Sequence, residues 1–160
     1  LIGMLGGIGN SMILGNFDTT FAAHPEMALY IPLIGGTGGN VGTQSSALVV
    51  QGLANSSLDS GNTFQQILKE SVVALINATI ISMLVYIYNF IRFGATATVS
   101  YSVSISLFAV VMFASIFGTL VPMTLEKLKI DPAIATGPFI SITNDIIGMM
   151  MYMGITVLLS

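Results

Sequence analysis

Residues 132–160 read PAIATGPFISITNDIIGMMMYMGITVLLS, and Asp145 is the single acidic or basic side chain in this run. A helix of this length, at about 1.5 Å per residue, crosses the hydrocarbon core of a bilayer, which is about 30 Å thick. Such a helix would place Asp145 close to the bilayer midplane, where a carboxylate costs about 2.5–3.5 kcal/mol on insertion scales. A protein accepts that cost where the group faces a pathway, a partner or water. Asp145 is therefore the leading candidate for a functional residue.

The composition of the whole chain predicts an all-α membrane protein in contact with a lipid bilayer. Of its 160 residues, 54% are hydrophobic and only 7% are charged, whereas soluble domains carry about 25% charged residues. The chain cannot cover a water-facing surface with so few charges. Backbone groups in lipid must bond internally, and the sequence lacks the alternating pattern of barrel strands, so helices are expected.

Several functional classes are excluded by what the chain lacks. It has no cysteine, which removes thiolate metal sites and thiol catalysis, and the single His24 cannot build a histidine-rich metal site. With four basic residues and a net charge of −3, it has no nucleic-acid footprint. An aspartyl protease in the membrane needs two facing carboxylates, and only Asp145 lies deep in a predicted span, so we do not expect an enzyme.

Charged residues divide the chain into uncharged runs that predict five transmembrane helices in one domain covering residues 1–160. The spans are expected at roughly 1–17, 27–53, 71–91, 98–125 and 132–159. The first is short for a crossing of about 20 residues. Because the chain begins at Leu1 inside an apolar run, without a charged segment before it, we expect an N-terminally truncated first helix and not a signal peptide.

The distribution of basic residues predicts the orientation of the chain. The predicted loops at 54–70 and 126–131 share one side of the membrane and hold all the lysines, whereas Arg92 lies on the opposite side. The positive-inside bias therefore places these two loops in the cytoplasm. We predict a multi-pass protein of the cell membrane, with the N-terminal end in the cytoplasm and the C-terminus outside.

The second predicted span is unusually rich in glycine. Residues 32–46 read PLIGGTGGNVGTQSS. In water each glycine costs a helix about 1 kcal/mol relative to alanine, but in a membrane small residues let helices approach closely and polar ones bond across the contact. One interpretation is a packing face formed by Gly35, Gly39, Gly42 and Ser46. The other is a polar path lined by backbone carbonyls, by Asn40 and by the neighbouring threonine and glutamine side chains.

One face of the fifth predicted span is polar and small. Its residues recur every three or four positions: Gly137, Ser141, Asp145, Gly148 and Tyr152. Pro138 removes one internal hydrogen bond, so a kink is expected near it. A backbone or hydroxyl oxygen of Ser141, one turn before Asp145, can face the same ion as the carboxylate. The alternative is a buried Asp145 that bonds to a neighbouring asparagine or threonine.

These two motifs resemble the MgtE family of magnesium channels and transporters. The run 32–45 is similar to the second-span signature of that family, and Asp131-Pro132-Ala133, Gly137-Pro138 and Asp145-x-x-Gly148 are similar to its fifth-span signature. The resemblance covers essentially the whole chain and concerns the transmembrane domain only. Bacterial members usually carry a cytoplasmic N domain and a pair of CBS domains ahead of it, and we expect neither regulatory domain within this chain.

The resemblance implies a homodimer with a pore at the dimer axis, lined by the second and fifth spans. Asp145 of both subunits would hold a hydrated Mg²⁺, and the backbone oxygen of Ser141 would add a contact. The predicted pore-lining residues are Gly39, Asn40, Gly42, Asn144 and Gly148.

The expected function is the movement of hydrated Mg²⁺ across the membrane by a channel or transporter. Mg²⁺ dehydrates reluctantly and keeps several waters, so a narrow all-protein cage is not expected. A hydrated divalent cation would compensate two carboxylates at a low-dielectric axis. Mn²⁺, Co²⁺ or Ca²⁺ would fit the same oxygen ligands. The alternative is a proton- or sodium-coupled solute transporter in which Asp145 is the coupling carboxylate.

Overall fold

The computed structural model describes residues 1–58 and 60–160, with the side chains of Ser60 and Ala135 excepted. Asp59, in the loop predicted at 54–70, lies outside this description. Within those ranges the regular structure is helical: α1 (Ile2–Gly15), α2 (Asp18–Ala23), α3 (Ile31–Ala54), α4 (Thr63–Phe93), α5 (Thr98–Lys127) and α6 (Pro138–Leu159). Short 3₁₀ turns lie at Pro25–Tyr30, Ser60–Asn62 and Pro132–Ala135. The predicted all-α fold is confirmed.

Three helices of the described chain, α4, α5 and α6, are long and apolar enough to cross a membrane. Helix α3 has 24 residues, or about 36 Å at 1.5 Å per residue, but its glycines, serines and threonines make it more polar. Helix α1 has 14 residues, about 21 Å. The multi-pass membrane architecture follows from the three apolar helices, and the number of five crossings stays a prediction.

Helix α5 is the centre of the bundle and packs against α3, α4 and α6, while α1 packs along α6. Of the most apolar stretch of α5, 56% is buried, compared with 11% for α4. Helix α4 is therefore peripheral, and most of its apolar surface is exposed in the protomer. The core joins the turn Pro25–Tyr30 to α3, α5 and α6 through buried side chains such as Met27, Ile34, Leu107 and Tyr152.

Helix α4 begins earlier than the sequence analysis predicted. A loop was predicted at 54–70, but α4 begins at Thr63, so Lys69 and Glu70 are helical. The physical reason is local, because residues 63–70 include Gln, Leu, Lys and Glu, which all favour helices. The start of the third membrane crossing at residue 71 stays a prediction.

The predicted fifth span is divided into a 3₁₀ turn at Pro132–Ala135 and helix α6, and the break lies at Gly137-Pro138, where a kink was expected. Gly137 has φ 66°, in the left-handed region that favours glycine. Pro138, which lacks an N–H, occupies the first turn of α6. Because α6 begins there, Asp145 lies about 10 Å along a helix about 33 Å long. The carboxylate is therefore about a third of the way along α6 and not at its centre.

Candidate functional site

Asp145 lies on α6 directly opposite the glycines of α3. A Cβ placed on Gly39 would lie 2.9 Å from Oδ1 of Asp145 and 2.9 Å from Oγ of Ser141. A Cβ placed on Gly35 would lie 3.8 Å from the same carboxylate oxygen. The carboxylate and the hydroxyl thus reach the backbone of α3 because Gly39 has no side chain. The two motifs that stood out in the sequence are neighbours in space.

A cavity of about 330 Å³ lies between α1 and α6. Asp145 and Ser141 form its wall on α6, and Gly3, Gly7 and Asn10 form its wall on α1. The cavity has room for several water molecules, each of which occupies about 30 Å³ in the liquid. A small ion can therefore meet the Asp145 carboxylate without losing all of its water.

The charge of Asp145 is not balanced within the protomer. In the part of the chain that the structure describes, the recorded ion pair joins His24 to Glu26 at 3.6 Å, and no basic side chain pairs with Asp145. That same part brings together no group of three or more histidine, cysteine, aspartate or glutamate side chains that could hold a metal ion. Among the described residues, one protomer therefore offers a single carboxylate beside this cavity, and a cation would reduce the cost of keeping it in the membrane.

Four of the five predicted pore-lining residues are buried in helix contacts and do not line this cavity: Gly39, Gly42, Asn144 and Gly148. Gly42 faces Asn144, and a Cβ on Gly42 would overlap Nδ2 of that side chain. Asn144 is 1% exposed, and neither its Nδ2 nor its Oδ1 has a hydrogen-bond partner among the described residues. Gly148 packs near Val110 and Ile34. Their role as pore-lining residues stays a prediction.

Asn40 lies on another face of α3, away from the contact with α6. It is exposed in the protomer and belongs to an exposed stripe at helical spacing: Gly36, Asn40, Gln44, Leu48 and Gln51. Polar side chains on a membrane helix are costly against lipid and normally face a bundle interior or water. We therefore expect this stripe to face water or a second protein surface and not lipid.

Two residues of interest were not recognised in the sequence analysis. Asn10 lines the cavity from α1. The sequence could have indicated it, because Asn10 lies three and four residues after Gly7 and Gly6 and therefore on the same helix face. Glu70 of α4 accepts hydrogen bonds from Ser45 and Ser115. The sequence could have indicated Glu70 through the helix-forming residues 63–70. They extend α4 to include Lys69 and Glu70, which were assigned to a loop.

The fold and the site define a multi-pass helical membrane protein with a carboxylate, Asp145, beside a cavity that has room for several waters and beside a glycine-lined helix contact. Residues 31–155 match the family model for MgtE, described as a divalent cation transporter. The chain belongs to this family, and the resemblance predicted from the two motifs is confirmed. The matched segment begins in α3 and ends in α6, so it contains both motifs.

The chain is also similar to individual proteins named magnesium transporter MgtE. The one from Bacillus subtilis is 33% identical over 149 residues, which covers 93% of this chain and 33% of that protein. The one from Thermus thermophilus is 31% identical over 156 residues, covering 98% of this chain and 34% of that protein. The chain therefore spans about a third of the length of the curated relatives that it matches.

Proposed function

We propose that residues 1–160 form one transmembrane ion-conducting domain that moves hydrated Mg²⁺ across the membrane, as a channel or a transporter. The observation that carries this proposal is the position of Asp145, an unpaired carboxylate beside the Gly39 backbone and a cavity of about 330 Å³. The family supplies the class of cargo, a divalent cation. The names of the similar proteins favour magnesium among the divalent ions.

The proposed assembly is a homodimer with the pore at its axis, lined by α3 and α6. Two facts about the protomer favour a second copy. The stripe that contains Asn40 and Gln44 is exposed although it lies on a helix long enough to cross the membrane. One protomer also supplies only one carboxylate at the site, whereas a pair of Asp145 residues would bring −2 to the axis and match a divalent cation. The five crossings would be α1, α3, α4, α5 and α6.

In this proposal each residue has a distinct role. Asp145 holds the hydrated ion through its water shell, since Mg²⁺ usually keeps several waters. An oxygen of Ser141 adds a contact one turn away, Gly39 leaves space for both groups, and Asn40 lines the path. The proposal also assigns Gly42, Asn144 and Gly148 to the lining of the path, although all three are buried in helix contacts of the protomer.

Selectivity would then depend on the size and hydrogen bonds of the hydrated ion. Oxygen ligands suit Mg²⁺, Mn²⁺ and Ca²⁺, and no thiolate or imidazole is among the described residues that line the cavity beside Asp145 to favour softer metals. Co²⁺ is the remaining divalent ion whose transport should be compared with that of Mg²⁺. In the proposed orientation, Lys69, Lys127 and Lys129 lie at the cytoplasmic ends of α4 and α5, Leu1 is on the cytoplasmic side and Ser160 is outside.

The test is Asp145→Asn, which keeps the size of the side chain and removes its charge. We expect Mg²⁺ flux into proteoliposomes to be abolished and Mg²⁺ binding to be lost, while the variant still forms a dimer. Glu126→Gln, which removes an exposed acid at the end of α5, is the control and should transport normally.

Unchanged Mg²⁺ flux in Asp145→Asn would contradict the assignment of the site. A flux of an organic solute that follows a proton or sodium gradient, and that ignores Mg²⁺, would instead favour a coupled transporter with Asp145 as the coupling carboxylate. The same proteoliposomes distinguish Mg²⁺ transport from coupled solute transport, because the proton or sodium gradient and the Mg²⁺ concentration are varied independently.

A further inference from the structure

Glu70 is a second carboxylate that points into the helix bundle. Its Oε1 accepts a hydrogen bond from Ser45 Oγ of α3 at 2.8 Å and another from Ser115 Oγ of α5 at 2.6 Å. The two hydroxyl oxygens are 3.1 Å apart, and the two serines are 5% and 2% exposed. One carboxylate oxygen on α4 therefore joins three helices at a partly buried point, through hydrogen bonds of the kind that are strong when the acceptor is ionised.

This connection matters because of where α4 and α3 lie. Helix α4 is peripheral and packs along α5. Through Glu70 it is also hydrogen-bonded to Ser45 of α3. Glycines within 35–42 give α3 a weak helical preference of its own. The position of α3 therefore depends on its contacts with the neighbouring helices. Ser45, which makes one of these contacts, lies only about 9 Å along the helix axis from Gly39.

The site beside Gly39 has little tolerance for movement of α3. Oδ1 of Asp145 and Oγ of Ser141 already lie 2.9 Å from the place of a Gly39 Cβ. About one turn further along α3, Gly118 of α5 lies against the backbone of Gly42. This is the same helix pair, α3 and α5, that the serines on Glu70 hold together. A shift of α3 away from α5 would change the distance between the Gly39 backbone and the Asp145 carboxylate.

We propose that Glu70 is a positioning residue for the cation path. Through Ser45 and Ser115 it fixes α3 against α5, and it thereby sets the spacing between the α3 backbone and Asp145. Glu70 does not contact the ion in this assignment. The inference rests on the proposed function, because it takes Asp145 as the ion site.

The test compares Glu70→Ala with Glu70→Gln in proteoliposomes. Glutamine keeps an Oε1 that accepts from both hydroxyls and lacks the charge, whereas alanine removes the acceptor. We expect Glu70→Ala to raise the half-saturating Mg²⁺ concentration by about tenfold or more, the effect typical of groups that orient a metal ligand. Glu70→Gln should retain the wild-type value. The control Glu126→Ala removes an exposed acid from the same end of the bundle and should leave that value unchanged.

Two results would overturn the positioning role. Equal losses in Glu70→Gln and Glu70→Ala would show that the charge of Glu70 attracts cations, independently of its hydrogen bonds. A wild-type half-saturating concentration in Glu70→Ala, with or without a lower melting temperature, would show that the cluster only stabilises the fold. If Glu70→Ala does not fold, Ser45→Ala replaces it, because that variant leaves Glu70 bonded to Ser115. It should raise the half-saturating concentration, and an unchanged value would likewise overturn the inference.

Asp145→Asn, measured in the same assay, separates this inference from the proposed function. If Asp145→Asn transports Mg²⁺ normally, the proposed function itself is wrong. If Asp145→Asn is inactive while Glu70→Ala and Ser45→Ala keep the wild-type half-saturating concentration, only the positioning role of Glu70 is wrong.

Discussion

Replacing Gly39 by alanine adds one methyl group at the point where α3 meets the candidate ion site. The new Cβ would lie 2.9 Å from Oδ1 of Asp145 and 2.9 Å from Oγ of Ser141. Each oxygen has to retreat by about 0.5 Å to reach ordinary van der Waals contact. Both atoms are the ends of short side chains, so rotation of those side chains relieves the overlap at about 0.5–1.5 kcal/mol each. Separation of the two helices is not required.

The stability cost of Gly39→Ala should therefore be small. Alanine recovers about 0.5–1 kcal/mol relative to glycine inside a helix, which offsets part of the rotamer cost. The cost in binding should be larger, because both oxygens that face the ion leave their positions. We expect Mg²⁺ affinity to fall by about 10–100-fold, the range found when groups around a metal ligand are disturbed. Binding and stability are thus predicted to respond differently to one methyl group.

The assay is calorimetric titration of Mg²⁺ into the purified protein, with thermal unfolding of the same samples in detergent. Gly154→Ala is the matched control, because it makes the same substitution within α6, where a Cβ meets nothing within 4 Å. That control should bind Mg²⁺ as the wild type does. If Gly39→Ala also binds Mg²⁺ with wild-type affinity, the site does not lie between Gly39 and Asp145, and the geometric reasoning is refuted.

Two further predictions concern the packing that supports the site. Gly118→Ala places a Cβ against the Gly42 backbone, 3.1 Å from its Cα; because backbone cannot rotate away, α3 and α5 must separate, and thermal unfolding should show a loss of about 1–3 kcal/mol. An unchanged melting temperature would show that the two helices are not in this contact. Tyr152→Phe removes the buried hydrogen bond that the hydroxyl donates to the Met27 carbonyl at 2.7 Å, and should cost about 1 kcal/mol. Its Mg²⁺ affinity should equal that of the wild type, and a loss of affinity would place Tyr152 in the ion path.

The sequence predicted the helical class from its pattern of charges, and the family from its two motifs. That the two motif helices share one site was implied only by the resemblance to that family. The sequence did not predict which residues on the polar face of the fifth span border the cavity and which are buried in the core. Ser141 and Asp145 border the cavity, whereas Gly148 and Tyr152 lie in the buried core. Helical spacing shows which residues share a face, but a face is broad enough for two different neighbours, here α1 on one side and α5 on the other.

The start of a helix was equally hard to read where charged residues occur inside it. Lys69 and Glu70 look like the end of a loop when charges are used to mark the limits of spans. In the structure Glu70 is helical, and its charge is accommodated because two buried serines donate to it from other helices. Those partners are distant in sequence, at residues 45 and 115, so no local pattern reveals them.

The two carboxylates of the bundle differ in how their charge is stabilised. Oε1 of Glu70 has hydroxyl donors at 2.8 and 2.6 Å, so its charge is partly satisfied by the protein itself. Asp145 faces a glycine surface and a cavity, and no basic side chain of the described chain pairs with it. In the proposed function, a cation that enters the bundle therefore gains more from Asp145, whose charge has water and ions to stabilise it. This difference in local donors is the physical reason for placing the ion at Asp145 and the supporting role at Glu70.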